Sequence, residues 1–193
     1  IKKELGDGKK FGMKIFYSWE SQVLGTGGGI KKGEPFFEGK AFFVLNSDIL
    51  IDLNLKELLR FHRKKKGIAT MAVRPWELRG TLQEAPTPVW IGQGQRIVEI
   101  GGGEEGQNRK RVVYTGVQLL EPEFLRFLPP HRECCVIREG YQPSLAAGEK
   151  IYGYRYDGYW NDLGTLERCR QAEEDLQEGR VPFIRPMARR RGP

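Results

Sequence analysis

At 193 residues with 39% hydrophobic composition, the chain is long enough to close one domain around a substantial core, which argues against a disordered polymer. Its formal charge of +7 sits mainly at one end: Arg180, Arg185, Arg189, Arg190 and Arg191 meet no acid between residues 180 and 193, which leaves +2 for the rest. The 25 acids interspersed among the bases argue against a nucleic-acid reader, and the longest apolar run, Ala41 to Leu45, is far below the about 20 residues that span a bilayer.

Ile1 to Leu5 reads as the last turn of a helix stopped by Gly6 and Gly8, and a first residue that is not methionine, with no apolar leader behind it, gives the expectation of an N-terminal truncation. Phe11 to Ser18 alternates and is aromatic, as a strand is, and Ala41 to Leu45 suits a strand buried on both faces. Asn54 and Glu57 resemble a capping box ahead of a helix from about Leu55 to Lys66, on which Leu58, Leu59 and His62 share a face. Ile68 to Val73 is the next strand, so strand, helix, strand, helix, strand predicts crossover units and a mostly parallel sheet.

From Arg74 to Asn108 the chain is rich in Gly, Pro and Gln, with short strands at Val89 to Ile91 and Arg96 to Ile100 that read as a small antiparallel excursion. Val112 to Leu120 returns as a strand, Pro122 to Phe127 and Ser144 to Ala147 are short helices, and Ile151 to Tyr156 and Tyr159 to Asp162 are aromatic strands. Thr165 caps a helix from about Leu166 to Gln177. The expected organisation is one domain over residues 1–179 and a basic, disordered tail over 180–193. Cys134, Cys135 and Cys169 make no disulfide framework and suit a reducing cytoplasm; His131 with Cys134 and Cys135 lacks a fourth zinc ligand, so the two thiols read as part of an ordinary strand.

Three places carry chemistry. Gly25 to Ile30 lets bare backbone approach a ligand at a helix start, although it matches neither the P-loop nor the dinucleotide fingerprint, and a tight turn is the simpler reading. Asp48 follows a buried strand at its carboxyl end, where open α/β sheets bind ligands; a turn former or helix cap is the plain alternative. Asp162, before Gly164 and Thr165, has the same strand-end setting, and two carboxylates meeting in one cleft suit Mg²⁺.

The segments YSWE, LGTGGGIKK, FFVLNSDIL, YTGVQLLEPEFL and YGYRYDGYWNDLGTLERCRQAEEDL, in this order between Gly6 and Leu176, resemble the sugar-1-phosphate nucleotidyltransferases, nearest the mannose-1-phosphate guanylyltransferase-like and N-acetylmuramate-1-phosphate uridylyltransferase-like branches. The resemblance implies a Rossmann-like α/β/α sandwich that condenses a nucleoside triphosphate with a sugar 1-phosphate and releases pyrophosphate. It assigns Mg²⁺ and catalysis to Asp48 and Asp162, the nucleotide to Glu20, Gly25, Thr26, Gly27 and Gly28, with Glu20 reading the base edge, and the sugar to Thr115 and Gly116. The partners implied are GTP first, with UTP the alternative, and a mannose-1-phosphate-like sugar; the oligomeric state stays open. The family's glycine-rich loop with its triphosphate-gripping Arg and Lys has no counterpart in these residues, so the chain alone is expected to be inactive, with a catalytically dead binding module as a further alternative. RIVEIGGGEEG stands where many relatives carry Glu-Lys-Pro, which leaves the sugar unassigned.

Overall fold

A computed structural model describes residues 1–76, 86–104, 106 and 108–182. One exposed turn, α1 (Lys2–Leu5), leads to a 3-10 turn at Lys9–Phe11 and then to residues 14–20 without regular structure. The strand expected at Phe11 to Ser18 is therefore not formed. A strand exists only through pairing, and no strand lies beside this segment among the described residues; Phe16 instead stacks on Phe36 at 5.6 Å, and Tyr17 Oη donates to Gly6 O at 2.6 Å.

The glycine segment is itself a helix, α2 (Gly25–Lys32), where a turn is the simpler expectation. Four glycines in eight residues oppose a helix by propensity, and packing overrides this: Gly27 N and Gly28 N donate to Cys134 O at 2.9 and 3.4 Å, while Cys134 N donates to Leu24 O at 2.9 Å. Cys134 thus lies in an irregular segment against α2 and not in a strand, and its buried thiol is pushed up by desolvation and by nearby Glu139.

Next come β1 (Phe42–Leu45), β2 (Ile49–Ile51) and α3 (Leu55–Lys65). Asn54 Oδ1 caps α3 by accepting from Lys56 N and Glu57 N at 3.0 and 3.3 Å, and Lys66 ends it in a left-handed conformation. His62, on its buried face, meets Thr70 Oγ1 through Nδ1 at 2.8 Å and Glu121 Oε1 through Nε2 at 3.0 Å. The remaining elements are β3 (Ala69–Pro75), β4 (Val89–Ile91), β5 (Ile97–Ile100), β6 (Lys110–Leu120), a 3-10 stretch at Pro122–Phe127, a π-helical turn at Val136–Tyr141, α4 (Gln142–Ala146), β7 (Ile151–Arg155), β8 (Trp160–Asp162) and α5 (Leu166–Gln177).

The main sheet has the order β5-β4-β6-β3-β7, and β1 also pairs with β6. This is the expected α/β class with helices over the sheet, but the pairing is mixed: β3 and β7 run parallel, whereas β6 is antiparallel to β1, β3 and β4, and β4 is antiparallel to β5. The crossover logic holds for direction, since β1, β3 and β7 all point one way. The expected majority of parallel pairs is lost because the long β6, opposite in direction, lies between β1 and β3. β1 pairs with its later half, Val117 to Leu120, and β4 with its start, Lys110 to Val112.

Alternation along β3 divides the core between two faces. Met71 and Val73 join Ile30, Leu120, Phe124, Tyr141 and Ile151 on one side, where Tyr141 Oη donates to Gln118 Oε1; Ala72 joins Leu58 and Val117 on the other, beneath α3. No described helix is long and apolar enough to cross a membrane. Of the basic tail expected over 180–193, residues 183–193 lie outside the described residues.

Candidate active site

A two-stranded antiparallel ribbon, β2 with β8, brings the two candidate carboxylates to one end. Ile49 lies opposite Asp162, and Leu163 N donates to Asp48 O at 2.6 Å, so the aspartates are diagonal neighbours across the ribbon. Ideal pleating would send diagonal neighbours to opposite faces, but Asp48 belongs to the exposed Ser47–Asp48 turn, where the pleat does not dictate direction. Asp162 is held firmly: Oδ1 accepts from Gly164 N at 2.9 Å and Oδ2 lies 2.8 Å from Arg168 Nη1. Among the described residues no group of three or more His, Cys, Asp or Glu gathers.

Beside this pair β6 bulges. The β3–β6 register shifts between Met71 and Val73, and Gly116 takes φ +86°, where a Cβ would lie 3.1 Å from Asn46 Nδ2 and 3.2 Å from Ile49 Cγ2. Asn46 N donates to Gly116 O at 3.0 Å, which fixes the turn carrying Asp48 to the bulge. Thr115 and Gly116 are both buried, and the Thr115 hydroxyl donates to Ala72 O at 2.9 Å, which anchors the bulge to β3. Trp160 Nε1 donates to Thr115 O at 2.8 Å and ties β8 to β6; the Arg74 guanidinium lies 5.7 Å from the Trp160 ring centroid and donates to Gly158 O. Burial lowers the Arg74 guanidinium from its ordinary range, against support from Asp157 and Asp52.

Glu20 and Gly25 to Gly28 form a second cluster, against Arg132 to Val136. A Cβ would lie 2.7 Å from Cys134 O at Gly25, 2.8 Å from Cys134 Sγ at Gly27, and 2.8 Å from Arg132 O at Gly28, and Thr26 Oγ1 accepts from Val136 N at 3.0 Å. These glycines are thus demanded by backbone packing, whatever ligand approaches. Glu20 Oε2 accepts from Leu24 N at 3.1 Å, and its carboxylate lines a cavity of about 470 Å³ with Gly28, Lys31, Lys32 and His131. The contacts join Asp48, Gly116 and Asp162 in one place and Glu20 with Gly25 to Gly28 in another.

A family profile described as nucleotidyl transferase matches residues 1–179. The chain belongs to the sugar-1-phosphate nucleotidyltransferase family. It is 33% identical over 181 residues to a mannose-1-phosphate guanylyltransferase of Mycobacterium tuberculosis, covering 93% of this chain and 49% of the relative. It is 30% identical over 197 residues to a UTP–glucose-1-phosphate uridylyltransferase of Synechocystis sp., covering 92% and 50%. The fold is that of solved nucleotidyltransferases: a putative glucose-1-phosphate thymidylyltransferase from Bacillus anthracis superposes with a TM-score of 0.67 at 16% identity, covering 90% of this chain and 69% of that one. The chain spans about half the length of the curated relatives it matches.

In this family member Arg168, Trp160 as an anchor, and Arg74 carry no signal in the sequence that marks them. An arginine on a helix reads as solvated surface, and only the pairing of β2 with β8 reveals that Arg168 reaches a strand end. Asn46 is visible in the sequence as part of the segment after β1, but its bond to the Gly116 bulge is not.

Proposed function

We propose that this chain carries the acceptor and cation-binding part of an enzyme that condenses GTP with a mannose-1-phosphate-like sugar phosphate, giving a nucleotide sugar and pyrophosphate. What supports this reading is the diagonal backbone placement of Asp48 and Asp162 at one end of the β2–β8 ribbon, next to the Gly116 bulge, in a member of this family. Guanylyl transfer is favoured over uridylyl transfer by the relative at 33% identity and by the carboxylate of Glu20 in the 470 Å³ cavity.

In the reaction an oxygen of the sugar phosphate attacks the α-phosphorus of the triphosphate, a P–O bond forms, and the bond to pyrophosphate breaks. The difficulty is gathering anions, so positioning and charge neutralisation are the main tasks. Two hard carboxylates at an open ribbon end fit Mg²⁺, which keeps several waters, and Asp48 and Asp162 would hold it. When bound, the cation neutralises phosphate charge and polarises phosphoryl oxygens. Thr115 and Gly116, both buried, would shape the bulge beside which the sugar lies. Glu20 accepts from guanine N1–H and N2–H, neighbouring donors that uracil lacks, while Gly25, Thr26, Gly27 and Gly28 shape the wall beside the nucleoside. No Gly-x-Gly-Thr-Arg-like segment occurs in these 193 residues, so they are expected to bind substrates without measurable turnover. Its three unpaired thiols suit the cytoplasm.

The test is equilibrium binding of GTP and UTP to the 193-residue chain with Mg²⁺, repeated with Glu20→Gln. Tighter binding of GTP, narrowed by the substitution, is the expected result. A preference for UTP, or one unchanged by Glu20→Gln, overturns the guanylyl assignment.

A further inference from the structure

We infer that Arg168 is a built-in counter-ion that competes with a divalent cation for Asp162 and so sets the cation affinity of the Asp48–Asp162 pair; this rests on the metal-binding reading above. Thr165 Oγ1 accepts from Arg168 N at 3.3 Å and caps α5, which makes Arg168 the third residue of the helix. The first turn of a helix carries partial positive charge and favours acids, and the side chain most suited to this position after a Thr cap is Glu or Gln. An arginine here has the wrong sign for its helix. Asp162 compensates it: Oδ2 lies 2.8 Å from Arg168 Nη1, with the two side chains 33% and 20% exposed, so solvent screens the pair only in part. Gly164 N holds the other oxygen at 2.9 Å.

A cation arriving at Asp162 therefore meets a carboxylate that is already neutralised, next to a fixed positive charge. Its affinity falls below what two unshared aspartates would give. When a cation binds, Arg168 has to yield part of its hold on Oδ2, which leaves its guanidinium, always charged and rich in donors, at the edge of the same cleft.

The test is Mn²⁺ binding to the full 193-residue chain, followed by electron paramagnetic resonance of free Mn²⁺, with no turnover required. Arg168→Gln and Arg168→Met are expected to bind Mn²⁺ about tenfold more tightly than the native chain. Arg168→Lys, which keeps the charge, is expected to stay close to the native affinity, and Asp162→Asn to lose binding in every background. If the neutral variants bind no more tightly than the native chain while Asp48→Asn and Asp162→Asn still weaken binding, the counter-ion role is overturned and the metal reading stands. If Arg168→Lys binds as tightly as Arg168→Gln, charge is not the cause and the role is likewise overturned. If Asp48→Asn and Asp162→Asn bind Mn²⁺ as the native chain does, the metal reading fails and the counter-ion role with it.

Discussion

Gly27 and Gly29 stand two residues apart in α2 and face opposite constraints. A Cβ on Gly27 meets Cys134 Sγ at 2.8 Å and Cys134 O at 3.1 Å, whereas one on Gly29 meets only the end of the flexible Glu20 side chain at 3.1 Å. Gly27→Ala should therefore cost about 1–3 kcal/mol through overpacking. Gly29→Ala should stabilise by up to about 1 kcal/mol, because alanine suits a helix interior better than glycine. Denaturant melts of the two variants check this, and a gain of equal size in both would show that helix propensity, not the Cys134 contact, controls the segment. The same residues show how much of the site is legible in the sequence. The glycines of GTGGG mark a close approach, but composition cannot tell whether ligand or backbone approaches, and the partner lies more than a hundred residues away.

α3 and α5 are the elements that the sequence specifies best, since caps and apolar spacing act locally. Leu55 to Lys66 is expected and Leu55–Lys65 observed, while Leu166–Gln177 agrees at both ends. Asn54→Ala removes the bonds to Lys56 N and Glu57 N and should cost about 1 kcal/mol in a thermal melt. β2 escapes notice because three residues are too few to show alternation, and the aromatic alternation of Phe11 to Ser18 misleads because it has no neighbour to pair with. The seam between α5 and β8 also titrates. Tyr159 Oη donates to Asp175 Oδ2 at 2.8 Å; burial first, then this bond, push the phenol from 10.0 up to about 12. The folded chain keeps a proton that the unfolded chain has lost, so this stability is whole below pH 10 and falls as pH rises to about 12. For Asp175, burial acts upward, but bonds from Arg180, Tyr159 and Gln171 outweigh it and hold the carboxyl below its ordinary value. That contribution is present above the usual carboxylate range and is lost as pH falls through the lowered value. Stability measured against pH should lose part of its alkaline limb in Tyr159→Phe, with buried Tyr114 and Tyr141 carrying the rest, and part of its acid limb in Asp175→Asn.

Across the whole molecule, local signals fix the direction of β1, β3 and β7, but the insertion of β6 between two of them is a long-range choice that periodicity does not encode. The sheet then carries unequal cores. Beneath α3 the fully buried apolar set is small, with Leu58, Ala72 and Val117 at its centre, so Leu58→Ala should cost about 2–5 kcal/mol, with the loss felt first on the α3 side. The β2–β8 ribbon has a consequence for the order of assembly. Its three registered pairs join segments about a hundred residues apart, so a long loop must close to form a short ladder, whereas β3, β6 and β7 gather far more buried surface. The ribbon should form after the sheet and open before it. Native-state hydrogen exchange reads this directly: the Leu163 amide, bonded to Asp48 O, should exchange through a partial opening, while the amides of Met71 and Leu119 wait for global unfolding. A cation or nucleotide held at the ribbon would then raise the protection of Leu163 before it moved the melting temperature, because it closes the part of the molecule that is last to arrive.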